Sequence, residues 1–200
     1  MHDVIIPARN ENLTTLLPTI WAFRQQPTVN RVIVVNDGLS AGVCFEIATP
    51  GFATHVTLGP KIGKGQAIKR GLQLVTAGRV VFCDGDLHGF TSRHARLLTP
   101  PYAAHVILGV TDPLPDHPPR LVPDHIHTLV TGERSMPIAL VRCLDLHGYC
   151  VEVQVNAAAE RAKLPVEVVK LDGCRGTSRW TPERVAEMKR DGTWLREHGA

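Results

Sequence analysis

Two carboxylates spaced Asp-x-Asp, Asp84 and Asp86, follow directly on the apolar run Val80-Val81-Phe82-Cys83. Four apolar residues in a row read as a buried strand. A buried parallel strand delivers whatever follows it to the carboxyl edge of its sheet, where open α/β folds bind ligands. Two carboxylates held close together resist joint ionisation unless a cation joins them. A divalent cation meeting a nucleoside diphosphate answers that need, because carboxylate and phosphate oxygens are hard ligands suited to Mg²⁺ or Mn²⁺. His88, two residues past Asp86, offers a nitrogen ligand that suits Mn²⁺ better than Ca²⁺. Taken alone, the spacing is a weak signal and fits a plain Asp-Gly turn with a capping aspartate better than a metal site; the strand before it and the sequence upstream favour the metal.

A second stretch able to do chemistry is Lys61-Ile62-Gly63-Lys64-Gly65-Gln66-Ala67. Glycines flank a lysine, and a helical pattern (Ala67, Ile68, Gly71, Leu72, Val75) begins at once. Glycine backbone and a cation at a helix N-terminus favour a phosphate or a nucleotide edge. The stretch lacks the Gly-x-x-x-x-Gly-Lys-Ser/Thr of a Walker A loop, and a flexible glycine turn is its plain alternative. Asp116-His117 and Asp124-His125-Ile126-His127 offer too few ligands at fixed spacing for a second metal. The five cysteines form no Cys-x-x-Cys pair and read as free thiols in a reducing cytosol.

The elements that must position these groups alternate between strand and helix. Asp3-Val4-Ile5-Ile6-Pro7 is a short buried strand ended by Pro7, with a polar loop Ala8-Arg9-Asn10-Glu11-Asn12 after it. Leu13, Leu16, Leu17 and Ile20 form one helix face. Pro18 is tolerated there if the helix starts near Thr14 or Thr15. Arg31-Val32-Ile33-Val34-Val35 is a second strand, closed by the turn Asn36-Asp37-Gly38. Phe45 to Ala48 reads as a short helix and Thr54 to Thr57 as a strand. Thr91 or Ser92 caps a helix through Leu98, and His105 to Gly109 is another strand. Prolines at 113, 115, 118, 119 and 123 deny regular structure to 111–124, a loop over the active site. Thr131-Gly132-Glu133-Arg134-Ser135-Met136-Pro137 is a polar patch before a helix. A second helix covers 151–162, with Glu152 one residue beyond its apolar stripe and so at the edge of the core. Pro165 to Leu171 is the last strand. Thr181-Pro182-Glu183 then opens a final amphipathic helix to about Glu197. The pattern is that of an α/β domain with a largely parallel sheet.

The order Val4-Ile5-Ile6-Pro7-Ala8-Arg9-Asn10-Glu11, Val34-Val35-Asn36-Asp37-Gly38, Gly63-Lys64-Gly65-Gln66-Ala67 and Asp84-Gly85-Asp86-Leu87 resembles the family 2 glycosyltransferases of GT-A fold. The nearest likeness is to the dolichol-phosphate mannosyltransferase and glucosyl-3-phosphoglycerate synthase group. Thr131-Gly132-Glu133-Arg134 and Gly148-Tyr149-Cys150-Val151-Glu152-Val153 extend it, so that it spans residues 3–172. The resemblance implies a single GT-A (Rossmann-like) domain over 1–172 with a mostly parallel sheet flanked by helices, and the capped helix after Thr181 makes 173–200 a C-terminal helical tail expected to pack on it. It implies a metal-dependent transfer from a UDP- or GDP-sugar. Pro7, Ala8, Arg9 and Glu11 would line the nucleoside site, and Asp37, with Asn36 beside it, would contact base or ribose. Asn36 departs from the family's usual aspartate, which leaves the base preference open. Gly63 and Lys64 match a loop that touches base and ribose. Asp84 and Asp86 match the metal-binding pair, Asp86 the stronger ligand, and His88 falls where mannosyltransferase-like members often carry glutamine. Some retaining members supply a histidine after the last strand; here Gly173-Cys174-Arg175-Gly176-Thr177 has none. Glu133, Arg134 and Glu152 match acceptor-side positions. A carboxylate such as Glu152 could deprotonate a hydroxyl acceptor, whereas a phosphate acceptor needs no base.

Other readings compete on particular residues. Ile5-Ile6-Pro7-Ala8-Arg9 also resembles the start of cytidylyltransferases, but the continuation Asn10-Glu11-Asn12-Leu13 lacks their lysine-bearing loop. A non-catalytic nucleotide-sugar-binding domain is disfavoured by the intact Asp-x-Asp. Composition excludes less: 44% hydrophobic and 20% charged residues are ordinary for a globular chain, and a net charge of +3 is too small to argue for nucleic acid. No apolar run approaches the ~20 residues of a membrane span, and no basic-apolar leader opens the chain. The expectation is therefore a cytoplasmic enzyme whose acceptor is a small molecule, a lipid phosphate or a modified nucleic-acid base.

Overall fold

The computed structural model describes residues 1–48, 55–57, 62–101, 104–112, 131–146, 148–176, 186 and 190. In chain order the elements are β1 (His2–Ala8), α1 (Leu13–Arg24), β2 (Val29–Asn36), α2 (Ala41–Ala48), β3 (His55–Thr57), α3 (Lys64–Leu72), β4 (Arg79–Phe82), β5 (Leu87–His88) and α4 (Ser92–Leu98). There follow β6 (Val106–Thr111), β7 (Arg134–Pro137), α5 (Ile138–Val141), a 3₁₀ turn (Gly148–Cys150), α6 (Val151–Arg161), β8 (Val166–Leu171) and β9 (Arg175–Gly176). Seven strands form one sheet in the order β3-β2-β1-β4-β7-β6-β8, while β5 and β9 make a separate antiparallel ribbon. Every neighbouring pair in the large sheet is parallel except the two that involve β7.

The continuous apolar runs of the strands exist because both faces of the sheet are covered. Val4, Ile6, Val32, Val34, Val81 and Cys83 pack on one face with Leu16, Ile20 and Phe23 of α1, Ile47 of α2 and Leu98 of α4. Ile5, Ile33, Val35, Val80 and Phe82 point the other way, into Ala67, Ile68 and Leu72 of α3 and Val151, Val155 and Ala159 of α6. Gly71 lets α3 approach β1: a Cβ there would lie 2.8 Å from Ile5 Cγ2. Among the described residues no helix is long and apolar enough to cross a membrane.

Several expectations change in detail. Pro7 lies inside β1 rather than ending it. The Ile5 carbonyl accepts from Cys83 N–H, and the Ala8 carbonyl from Asp37 N–H on the opposite side. By that alternation residue 7 faces β4 beyond the last β1–β4 pair, Ile5 with Phe82, so no donor is needed there. The first helix starts at Leu13, because the Asn12 side chain caps it by accepting from Thr15 N–H at 3.2 Å. Pro18 therefore sits in the second turn, on an exposed face of the helix. The helix expected at Ala67 begins three residues earlier, at Lys64. The patch Arg134-Ser135-Met136-Pro137 is a strand, β7, where a polar segment before a helix was expected; it is too short to show a period of two. Helix α6 stands as expected, but Glu152 is buried rather than at the core's edge. The 113–124 part of the proline-rich loop, and the final helix apart from residues 186 and 190, lie outside the described residues.

Candidate functional site

The strand order places a topological switch between β1 and β4. From β1 the chain winds outward through β2 and β3, then returns to the other side of β1 as β4. Ligands bind in the crevice that such a reversal opens at the carboxyl edge. The loop after β1 carries Arg9 and Glu11, turned by Asn10 at φ 60°, a left-handed conformation that asparagine tolerates. The loop after β4 carries Asp84 and Asp86. Gly85 between them is buried: a Cβ there would lie 3.3 Å from Glu11 Cγ and 3.2 Å from Leu16 Cδ1. The glycine of Asp-Gly-Asp therefore lets the two loops touch. Burial pushes the Glu11 acid up to about 7, helped by the charges of Asp86 and Asp84, and its Oε2 is buried without a hydrogen-bond partner.

Because β7 runs antiparallel, its beginning, not its end, lies on this same edge, Arg134 paired with Phe82. That brings Thr131, Gly132 and Glu133 to the crevice. Asp84 rests over Gly132, where a Cβ would come within 2.6 Å of Asp84 Cγ. Glu133 is buried, and burial, with Asp84 nearby, pushes its acid up to about 7. The Thr131 hydroxyl lies 2.5 Å from the Gly109 carbonyl and 2.8 Å from Glu133 Oε2. It has one proton for these two acceptors. A protonated Glu133 resolves the conflict by donating to Thr131 while Thr131 donates to Gly109.

Lys64 ties the two sides together. Its Nζ lies 2.9 Å from Asp84 Oδ1 and 2.7 Å from Glu152 Oε1, with little of the side chain exposed. Burial alone would lower the ammonium's pKa, but the Asp84 and Glu152 carboxylates outweigh it and hold it above the ordinary lysine range. The resemblance aligned Lys64 with a base and ribose contact; the structure places its ammonium at the Asp-x-Asp. Arg134, expected on the acceptor side, is fully buried. Its Nη1 donates to the Glu152 carbonyl at 3.1 Å and to Asn156 Oδ1 at 3.0 Å, and its Nε to the Thr131 carbonyl at 3.0 Å, with Nη2 on that same carbonyl. All three donor nitrogens thus serve the protein, and Arg134 joins the start of α6 to the turn beneath Asp84. Glu152 itself suits the first turn of α6, where a carboxylate faces the positive end of the helix.

On the β2 side the expected nucleoside contacts are engaged locally. Asn36 Oδ1 accepts from Gly38 N–H at 2.8 Å and Leu39 N–H at 2.7 Å, while its Nδ2 lies 3.2 Å from Cys44 Sγ. An aspartate could make the turn but could not donate to the sulfur, a local reason for asparagine here. Asp37 Oδ1 accepts from Ile62 N–H at 2.6 Å and Gly63 N–H at 2.8 Å, which fixes the glycine loop that presents Lys64. Pro7 and Ala8 are buried in β1, and the Arg9 side chain passes over Gly38, its Cγ 3.8 Å from where a Cβ would sit.

His88 is exposed on β5, opposite Arg175 of β9. The ribbon is anchored by His94. Its Nδ1 accepts from Thr91 N–H at 3.1 Å, so the proton sits on Nε2, which donates to the Asp172 carbonyl at 3.0 Å. Arg175 and Gly176, at the start of the expected tail, pair with β5. Sequence reasoning passed over Gly132 as the seat of Asp84, Asn156 as an acceptor for Arg134, and His94. Only the first carried a signal, as a glycine beside polar residues.

Residues 3–97 match the model of the family described as glycosyl transferase family 2. No curated protein matches the sequence. Among solved structures, glucosyl-3-phosphoglycerate synthase from Mycobacterium tuberculosis in complex with Mn²⁺, UDP and phosphoglyceric acid is 20% identical with a TM-score of 0.76, over 99% of this chain and 78% of that one. The same enzyme with Mn²⁺, UDP and glucosyl-3-phosphoglycerate gives 20% identity and a TM-score of 0.74, over 98% and 78%. A structure described as a mycobacterial protein gives 20% and 0.75, over 98% and 74%. The fold is thus GT-A.

Proposed function

We propose, from the match of residues 3–97 to the glycosyl transferase family 2 model and from the GT-A fold, that the chain is a family 2 glycosyltransferase that moves a sugar from a UDP- or GDP-sugar to an acceptor docking beside Glu133 and Glu152. The observation that carries this reading is the convergence of Glu11, Asp84 and Asp86 on the crevice between β1 and β4, with the Lys64 ammonium beside them. UDP is the preferred nucleotide, because the similar synthase was solved with UDP and Mn²⁺.

The carboxylate oxygens of Asp84 and Asp86 suit a hard divalent cation, Mn²⁺ or Mg²⁺, and their charges reach Glu11, whose buried Oε2 makes no hydrogen bond. Among the described residues no three His, Cys, Asp or Glu side chains form a group able to hold a metal; phosphate oxygens of the sugar donor would add to the shell. Exposed His88 is the remaining candidate ligand. When bound, the cation supplies a Lewis acid that neutralises the diphosphate leaving group. The rest falls to the chain's own residues. Asp37 holds the Ile62–Gly63 loop, so that Lys64 adds positive charge at the leaving-group side. Pro7, Ala8, Arg9 and Asp37 wall the nucleoside. Arg134 positions rather than reacts, fixing the start of α6 and with it Glu152. The five free cysteines, four of them buried, fit a reducing cytoplasm. Replacing Asp86 by alanine is expected to cut metal-dependent release of UDP from UDP-sugars at least 100-fold, with circular dichroism unchanged. Full activity in this variant, or of the wild type in excess chelator, would overturn the proposal.

A further inference from the structure

A lysine at the first position of a helix is out of place electrostatically, since the N-terminus of α3 carries the positive end of the helix dipole. A buried ammonium is costly as well. Here both costs are offset by two carboxylates from distant parts of the chain, Asp84 at 2.9 Å and Glu152 at 2.7 Å. The arrangement is built rather than incidental. Asp37 fixes the turn that starts α3, Gly132 leaves room for the Asp84 carboxylate, and Arg134 fixes the α6 backbone at Glu152. Lys64 has three N–H donors, and among the described residues it meets only these two acceptors.

We propose that Lys64 is a built-in counter-cation of the Asp-x-Asp: its ammonium stands beside Asp84 in place of a divalent cation until a nucleoside diphosphate engages it, so that metal and nucleotide bind as a pair. The inference rests on the proposed function and adds the residue that links the two ligands. An ammonium close to Asp84 repels a second cation and occupies one of the oxygens that cation needs. A diphosphate brings negative charge and oxygen acceptors for the lysine, which is a phosphate binder as well as a carboxylate partner. The remaining N–H gives the phosphate a place to begin. Cation and diphosphate thereby each remove an obstacle to the other, and such coupling is reciprocal. Without Lys64 the ammonium's charge beside Asp84 and Glu152 is lost, and a crevice that also holds Asp86, Glu11 and Glu133 would attract Mn²⁺ more strongly on its own.

The test is direct Mn²⁺ binding, followed by the electron paramagnetic resonance signal of free Mn²⁺, for wild type, Lys64→Met and Glu152→Gln, each with and without UDP or GDP. Wild type is expected to bind Mn²⁺ weakly alone and at least tenfold more tightly with nucleotide. Lys64→Met is expected to bind Mn²⁺ alone at least tenfold more tightly than wild type, with most of the nucleotide dependence gone. Glu152→Gln keeps the ammonium and removes a negative charge, so its unaided affinity is expected to fall. Unaided Mn²⁺ affinity that is unchanged or weaker in Lys64→Met would overturn the proposal. If Lys64→Met does not fold by circular dichroism, Glu152→Gln decides, and unaided affinity equal to or above wild type overturns it. Wild type that binds no Mn²⁺ with either nucleotide would sink the proposed function itself, and this inference with it.

Discussion

Adding one methyl group at Gly132 probes how Asp84 is held without touching any charge. The backbone raises no objection to Gly132→Ala, because Gly132 is not among the positive-φ glycines. The objection is steric: the new Cβ would lie 2.6 Å from Asp84 Cγ and 2.8 Å from Oδ1. Carbon atoms settle at about 3.5 Å or more, so the carboxylate must retreat by about 1 Å. If the retreat stretches its 2.9 Å pair with Lys64 to about 3.9 Å, an effective dielectric near 20 gives a loss of about 1.5 kcal/mol. Overpacking adds about 1–3 kcal/mol. A total near 3 kcal/mol in a chain of this length lowers Tm by about 6–12 °C. Calorimetry measures that shift, and Mn²⁺ binding with UDP is expected to weaken at least tenfold as the ligand moves. The double variant Gly132→Ala/Asp84→Ala separates the cause: with the carboxylate gone, the methyl group is expected to cost almost nothing in Tm. A single variant with wild-type Tm and metal binding would refute the placement of Asp84.

Without divalent cation, stability is expected to fall between about pH 5 and 7.5, because native Glu11 and Glu133 titrate near 7 and so keep protons that the unfolded chain, with its glutamates near 4.5, has released. His2, lowered by burial to about 4, works in the opposite sense up to about pH 6.5 and cancels roughly one of the two acids; urea unfolding should show the net fall, and Glu133→Gln should flatten it. Arg134→Lys is expected to cost about 3 kcal/mol in urea unfolding, since an ammonium cannot span the Thr131 carbonyl, the Glu152 carbonyl and Asn156; an unchanged midpoint would contradict its positioning role.

What the sequence made legible was whatever local pattern decides. The buried strands were visible because two covered faces demand uninterrupted apolar runs, as in Val32 to Val35 and Val80 to Cys83. The loops after β1, β2 and β4 could be placed at one edge because parallel strands put all their ends together. Strand β7 escaped because Arg134-Ser135-Met136-Pro137 has neither an apolar run nor an alternation long enough to read, and its reversed direction is a property of the sheet. Asp84 and Asp86 stood out by spacing. The partnership of Lys64 with Asp84 and Glu152 joins residues far apart in the chain, and no local spacing encodes it. Arg134 matched an acceptor-side position only through the resemblance; that each of its donor nitrogens bonds an acceptor within the chain is a property of the fold that no local pattern encodes.

The central claim concerns which bond breaks. A lysine ammonium beside the Asp-x-Asp would serve a triphosphate as well as a diphosphate-sugar, so the products must decide. Phosphorus NMR of the protein with Mg²⁺, run in parallel with UDP-glucose, GDP-mannose and CTP, distinguishes the outcomes in one experiment. The account predicts slow appearance of free UDP or GDP even without acceptor, as water replaces it, and no pyrophosphate from CTP plus free sugars. Pyrophosphate released from CTP, with both nucleotide-sugars intact, would contradict it.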